Sequence, residues 1–110
     1  MAESEYVKVT TDAGFSQAIK SSRVVVVDCW AEWCGPCRML KPTIDALAKD
    51  LQGRVAFYTL NVDENPEVSQ QYRIRSIPTL FIFVDGKLVD TIIGAVPRKY
   101  IEDRLARFAY

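Results

Sequence analysis

"VVVVDCWAEWCGPCRML", residues 24–40, carries a strand, the start of a helix and, at their junction, two cysteines. Residues 24–30 are mostly β-branched and lack the apolar-polar alternation of a half-buried strand, the pattern of a strand covered on both faces in a parallel sheet. Beyond Cys34, the residues Leu40, Ile44, Leu47, Ala48 and Leu51 recur at spacings of three and four, and Gly53 is a stop signal. The spacing predicts one amphipathic helix over residues 35–51, kinked at Pro42. A covered strand running straight into a helix is the core of a β-α crossover unit, which places this chain in the α/β class.

Outward from that unit, strand and helix signals alternate. Tyr6, Val7 and Val9 form a short strand-like opening, and Thr11-Asp12 offers N-cap oxygens to a helix with Phe15 and Ile19 on one face. "VAFYTLNV", residues 55–62, is a second buried strand; Asn65-Pro66 then reads as N-cap and first helical position, with Val68 and Tyr72 sharing a face. "TLFIFV" at 79–84, Asp85-Gly86, and "KLVDTIIGAV" at 87–96 predict a two-residue hairpin. A last helix opens at Pro97, with Ile101, Leu105 and Phe108 along one stripe. The predicted order is β-α-β-α-β-α-β-β-α, parallel units first and an antiparallel hairpin last, with helices on both faces. Apolar clusters and turn signals are spread evenly, without repeat or linker, so residues 1–110 read as one domain.

A chain of 110 residues buries roughly 60 to 70% of its unfolded surface, enough for a real core. Lys plus Arg and Asp plus Glu both number 14, which leaves no basic footprint for nucleic acid. No apolar run approaches the ~20 residues of a membrane span, and the first residues lack the n- and h-regions of a signal peptide. The expectation is a soluble, cytoplasmic monomer. Three cysteines, an odd number, fit a disulfide framework poorly; a close pair in a reducing compartment points to catalysis or metal binding.

Three readings of Cys34 and Cys37 compete. A zinc site needs three or four protein ligands, and this chain has no histidine; Cys29 is its only other soft ligand. A structural staple across two residues closes too small a loop to remove much unfolded-state entropy. The redox reading rests on geometry. With Cys34 at the N-cap, unpaired backbone N–H groups and the positive end of the helix dipole point at its sulfur and favour thiolate, the nucleophilic form. Pro36, near the helix start, sacrifices no hydrogen bond and fixes φ; Cys37, one turn in, is the shielded partner that resolves a mixed disulfide.

With "WCGPC" at 33–37 inside "VDCWAEWCGPC", "SIPTLFIF" at 76–83, "IGA" at 93–95 and Pro42, the chain resembles the thioredoxin family over nearly its whole length. The resemblance implies a thioredoxin fold, a central five-stranded mixed sheet flanked by four helices. It also implies reduction of disulfides in client proteins and re-reduction by a thioredoxin reductase drawing on NADPH. No bound cofactor or metal is expected, the redox group being the Cys34–Cys37 disulfide itself.

Carried onto this sequence, the resemblance places Asp28 beneath the active site, where desolvation raises its pKa and lets it take the proton of Cys37. Many family members carry a buried lysine facing that carboxylate; this chain has Thr59, so Asp28 is expected to titrate higher than in a lysine-bearing relative. The Ile77–Pro78 bond is expected to be cis beside the cysteines, leaving the backbone of Ile77 free to pair with an extended substrate. Trp33 is expected at the surface with Gly35, Pro36, Ile77, Ile93, Gly94 and Ala95, an apolar docking patch in which Gly94 permits close backbone approach. Trp30 is expected to pack under the active-site loop. Cys29 alternates with Asp28 and points to the other face as a small buried hydrophobe. Two rivals remain: a disulfide oxidase or isomerase, disfavoured by Gly-Pro and the lack of His between the cysteines, and a binding module using the fold as a clamp.

Overall fold

The structure, a computed structural model, describes residues 4–108 and 110. Among the described residues, five strands and four helices follow in the predicted order: β1 (Val7–Val9), α1 (Phe15–Ala18), β2 (Val24–Trp30), α2 (Gly35–Asp50), β3 (Ala56–Asn61), α3 (Pro66–Gln71), β4 (Thr79–Val84), β5 (Lys87–Ile93) and α4 (Arg98–Ala106). The sheet order is β1-β3-β2-β4-β5; β1, β3 and β2 run parallel, and β4 and β5 are antiparallel to their neighbours.

The run at 24–30 lies at the centre, and all seven of its residues are buried. Alternation along the strand sends Val24 and Val26 to one face and Val25, Val27 and Cys29 to the other. The first set packs with Leu40, Ile44 and Leu47 of α2 and Ile101 and Leu105 of α4. The second packs with Phe15 of α1, Val68 of α3 and the aromatic rings Phe81 and Phe83. Each valine buried this way is worth about 1.5–2 kcal/mol, and the unbroken run of them puts this strand in the middle rather than at an edge.

Helix α2 runs through Pro42 without ending, and Pro42 sits on its exposed side. After its C-cap at Leu51, Gly53 adopts φ 82°, a left-handed turn that glycine makes without steric cost. Asp85 and Gly86 turn the β4–β5 hairpin with φ of 52° and 79°, the mirror-image turn matched to strand twist. Arg104 of α4 pairs with Asp90 of β5, tying the last helix to the hairpin.

Two local expectations are corrected. α1 begins only at Phe15, with Gly14 at its N-cap and no side-chain cap, so Thr11-Asp12 does not start it. The Asp12 carboxylate instead accepts the backbone N–H groups of Glu67 and Val68, at 3.1 and 2.9 Å, and caps α3 from across the chain. Asn65 holds the N-cap position of α3 without a capping bond; its Oδ1 accepts the N–H of Asp12 at 2.8 Å. The cause is topological: β1 and β3 are parallel neighbours, so the loops after them emerge side by side. The second correction concerns the last helix, which begins at Arg98, with extended Pro97 as its N-cap.

At its other end α3 closes with a paired cap. The N–H of Ile74 donates to the carbonyl of Ser69 at 2.9 Å and that of Arg73 to Gln70 at 3.2 Å, while Ile74 packs in the cluster that holds Val68. Arg73 occupies the left-handed position of this motif, φ 53°, where glycine is the usual resident and any other side chain costs about 1 kcal/mol.

Candidate active site

Cys34 stands at the N-cap of α2 with extended backbone, and the N–H of Cys37 donates to its sulfur at 3.2 Å. The two are joined as a disulfide with 5.3 Å between their Cα atoms. Gly35 and Pro36, the intervening residues, are exposed, whereas Cys34 is 3% and Cys37 0% exposed. One sulfur at the rim and one behind it, with helix amides aimed at the outer one, is the arrangement that favours a reactive thiolate at Cys34 once the bridge is reduced. Trp30 and Ala31 pack against both cysteines, with Trp30 under the loop as expected.

Asp28 shares its sheet face with Val26 and Trp30, the face that α2 covers. It is 3% exposed, and its Oδ1 has no hydrogen-bond partner among the described residues. Burial, chiefly, pushes its pKa up to about 7; the Asp45 carboxylate adds to the rise and the Lys41 ammonium opposes it. Lys41 and Asp45 lie four apart on α2 and pair at 2.6 Å, and Ser4 donates to the same carboxylate at 3.0 Å. Neither member of that pair was signalled by the sequence as part of the site, because a Lys-Asp pair at this spacing reads as an ordinary solvated helix face. Thr59 is the register partner of Asp28 on β3, buried and uncharged, and opens on a groove of about 270 Å³ that it shares with Trp30 and Asn61. Cys29 is fully buried on the opposite face, where burial pushes its thiol pKa up and leaves it a protonated hydrophobe.

The Ile77–Pro78 bond is cis. The ladder of β4 starts at Thr79, so Ile77 lies outside it; its side chain packs in the cluster of Trp30, Cys34 and Cys37. The N–H of Gly94 donates to the carbonyl of Pro78 at 2.9 Å, which brings the end of β5 to this loop. Gly94 has φ 99°, and none of the described residues lies within 4 Å of where a Cβ would sit, so the backbone angle demands glycine here and leaves room above it. Ile93, 62% exposed, and exposed Ala95 flank it. Trp33 is 70% exposed, and its indole N–H donates to Asp63 at 2.9 Å. Asp63 comes from the loop after β3, thirty residues away, and no sequence signal pointed to it.

The thioredoxin family model matches residues 6–107. A thioredoxin of Porphyra purpurea is 47% identical over 103 residues, covering 93% of this chain and 96% of its own. Thioredoxin 1 of Synechococcus elongatus is 51% identical over 96 residues, covering 86% and 90%. Among solved structures, a mutant thioredoxin from Halobacterium salinarum superposes with a TM-score of 0.87 at 29% identity, over 100% of this chain and 96% of that one.

Proposed function

The chain belongs to the thioredoxin family, and from that premise and the oxidised pair at the head of α2 we infer that it is a dithiol–disulfide oxidoreductase acting on other proteins. The reduced Cys34 thiolate attacks one sulfur of a substrate disulfide; a mixed disulfide forms and the other substrate sulfur leaves as thiolate. Cys37 gives its proton to the Asp28 carboxylate and attacks the Cys34 sulfur, forming the internal disulfide and releasing the second substrate thiolate. Two electrons pass to the substrate, and a thioredoxin reductase using NADPH restores the dithiol.

The observation that carries this reading is the Cys37 N–H held 3.2 Å from the Cys34 sulfur at a helix N-cap. Asp28 suits the role of proton acceptor because its carboxyl, raised to about 7, exchanges protons near neutral pH. We assign substrate docking to the rim formed by Trp33, Gly35, Pro36, Ile77, Pro78, Ile93, Gly94 and Ala95. Ile77, outside the sheet ladder, offers backbone to an extended substrate strand, a mode that reads chain shape more than side chains. The disulfide is the only redox group this chemistry needs, and we propose that the protein acts as a monomer in a reducing compartment, the cytoplasm, although two relatives from Arabidopsis thaliana are named chloroplastic.

Insulin-disulfide reduction tests the proposal. Cys34→Ser abolishes it, while Cys37→Ser accumulates a mixed disulfide with the client. A Cys34→Ser protein that kept full activity in the cell would mark a clamp-like binding module instead.

A further inference from the structure

Beyond the rim, the outermost strand leaves a strip of the sheet without a helix over it. Between Ile82 and Phe83 the β4–β5 register shifts, pairing Phe83 with Leu88 and Ile82 with Asp90. Val89 is the extra residue, so Leu88 returns to the face of Thr91 and Ile93 instead of falling on the opposite one. That is the face which α1 and α3 cover over the central strands. Leu88 and Ile93 are 40% and 62% exposed.

The loop that follows α3 runs along this strip and forms its second wall. Together they enclose a groove of about 200 Å³ with Arg73 and Arg75 on the loop side, Leu88, Thr91 and Ile93 on the strand side, and, among the described residues, no carboxylate in the lining. Both arginines are exposed, and among the described residues neither makes a side-chain hydrogen bond or ion pair. Arg73 stands at the left-handed cap position described above, so its backbone conformation is one that glycine would adopt more readily. At its upper end, Ser76 and Ile93 join the groove to the Ile77–Pro78 loop beside the disulfide.

We propose that this groove docks an acidic, extended segment of the disulfide-bearing partner protein. The guanidinium forks of Arg73 and Arg75 pair with its carboxylates, and Leu88 and Ile93 receive its apolar side chains. The groove meets the docking rim at Ile93, so a chain leaving the disulfide passes into it. The proposal rests on the oxidoreductase reading for its choice of partner.

The test compares two peptide disulfides, one with aspartates on either side of its cysteine and one with serines there, as the ratio of their kcat/KM values within each protein. The acidic peptide is expected to be reduced about fivefold more efficiently at low salt, with the preference shrinking at high salt. In Arg73→Gly/Arg75→Gln, whose glycine suits the backbone at 73, the ratio falls to about one; Arg73→Lys/Arg75→Lys retains most of it. Equal rates on both peptides in the unaltered protein, or a preference that survives in the double variant, would overturn the proposal. A protein that reduced neither peptide would instead refute the oxidoreductase reading. The groove is then judged by fluorescence anisotropy of the labelled acidic peptide lacking cysteine: binding lost in the double variant upholds it, and no binding to the unaltered protein overturns it.

Discussion

Asp28 and Thr59 face each other in the register of β2 and β3, both buried, with an uncharged hydroxyl where a cation would lower the carboxyl pKa. The groove beside Thr59 has room for a longer side chain. Thr59→Lys therefore brings an ammonium near the carboxylate, and at an effective dielectric near 20 that attraction lowers the Asp28 pKa by about one unit or more. Carboxyl chemical shifts followed by NMR through the titration read this directly. Equal midpoints in the two proteins would refute it.

The same carboxyl makes stability depend on pH. In the unfolded chain Asp28 ionises near ~3.9, while in the fold burial holds its pKa at about 7. Between those values the folded state holds the proton that the unfolded state has lost, so stability falls as pH rises through this window and stays reduced above it. Asp28→Asn removes the cost. It is expected to be more stable than the parent by on the order of 3 kcal/mol at about pH 8, with the gain vanishing toward about pH 4. Urea denaturation at the two pH values checks this, and a gain independent of pH would contradict it.

The cap that Asp12 supplies to α3 holds two backbone N–H groups. Asp12→Ala leaves them without that partner and should cost about 1–2 kcal/mol, lowering Tm by roughly 5 °C or more. Thr11→Ala, which loses only a long 3.4 Å bond from Gly14, should change Tm little. Were the two variants to melt alike, the cap would be without thermodynamic weight.

For the reduced protein, the sulfur at the N-cap should react with iodoacetamide at a single site, Cys34, with an apparent pKa below the ~8.5 of a free cysteine. Cys29 should stay unmodified, since it is fully buried and burial raises its thiol pKa. Peptide mapping of the alkylated protein separates the two sites, and an ordinary thiol titration at Cys34 would remove the basis of the proposed reaction.

Gly35 and Gly94 both have open space where a Cβ would be added, but only Gly94 has a positive φ, 99°. Gly94→Ala is expected to destabilise by about 1–2 kcal/mol from backbone strain alone, and Gly35→Ala to be neutral or slightly stabilising at the helix start. Thermal unfolding of the pair distinguishes a conformational requirement from a spatial one.

Read without a structure, the chain already determined its elements and the chemistry at their junction. The valine run, the helix after Cys34, the Asp85-Gly86 turn and the N-cap sulfur are set by neighbours within a few residues, and periodicity and capping rules act on that scale. Tertiary structure alone decided which distant groups meet. Asp12 caps α3 rather than α1, Trp33 finds Asp63, and Lys41 and Asp45 reach the field of Asp28 because parallel pairing and the packing of α2 on the sheet bring them together. Sequence spacing holds no record of such meetings. A carboxylate is bound by whichever amide the fold places within about 3 Å, and that distance is fixed only when the sheet closes.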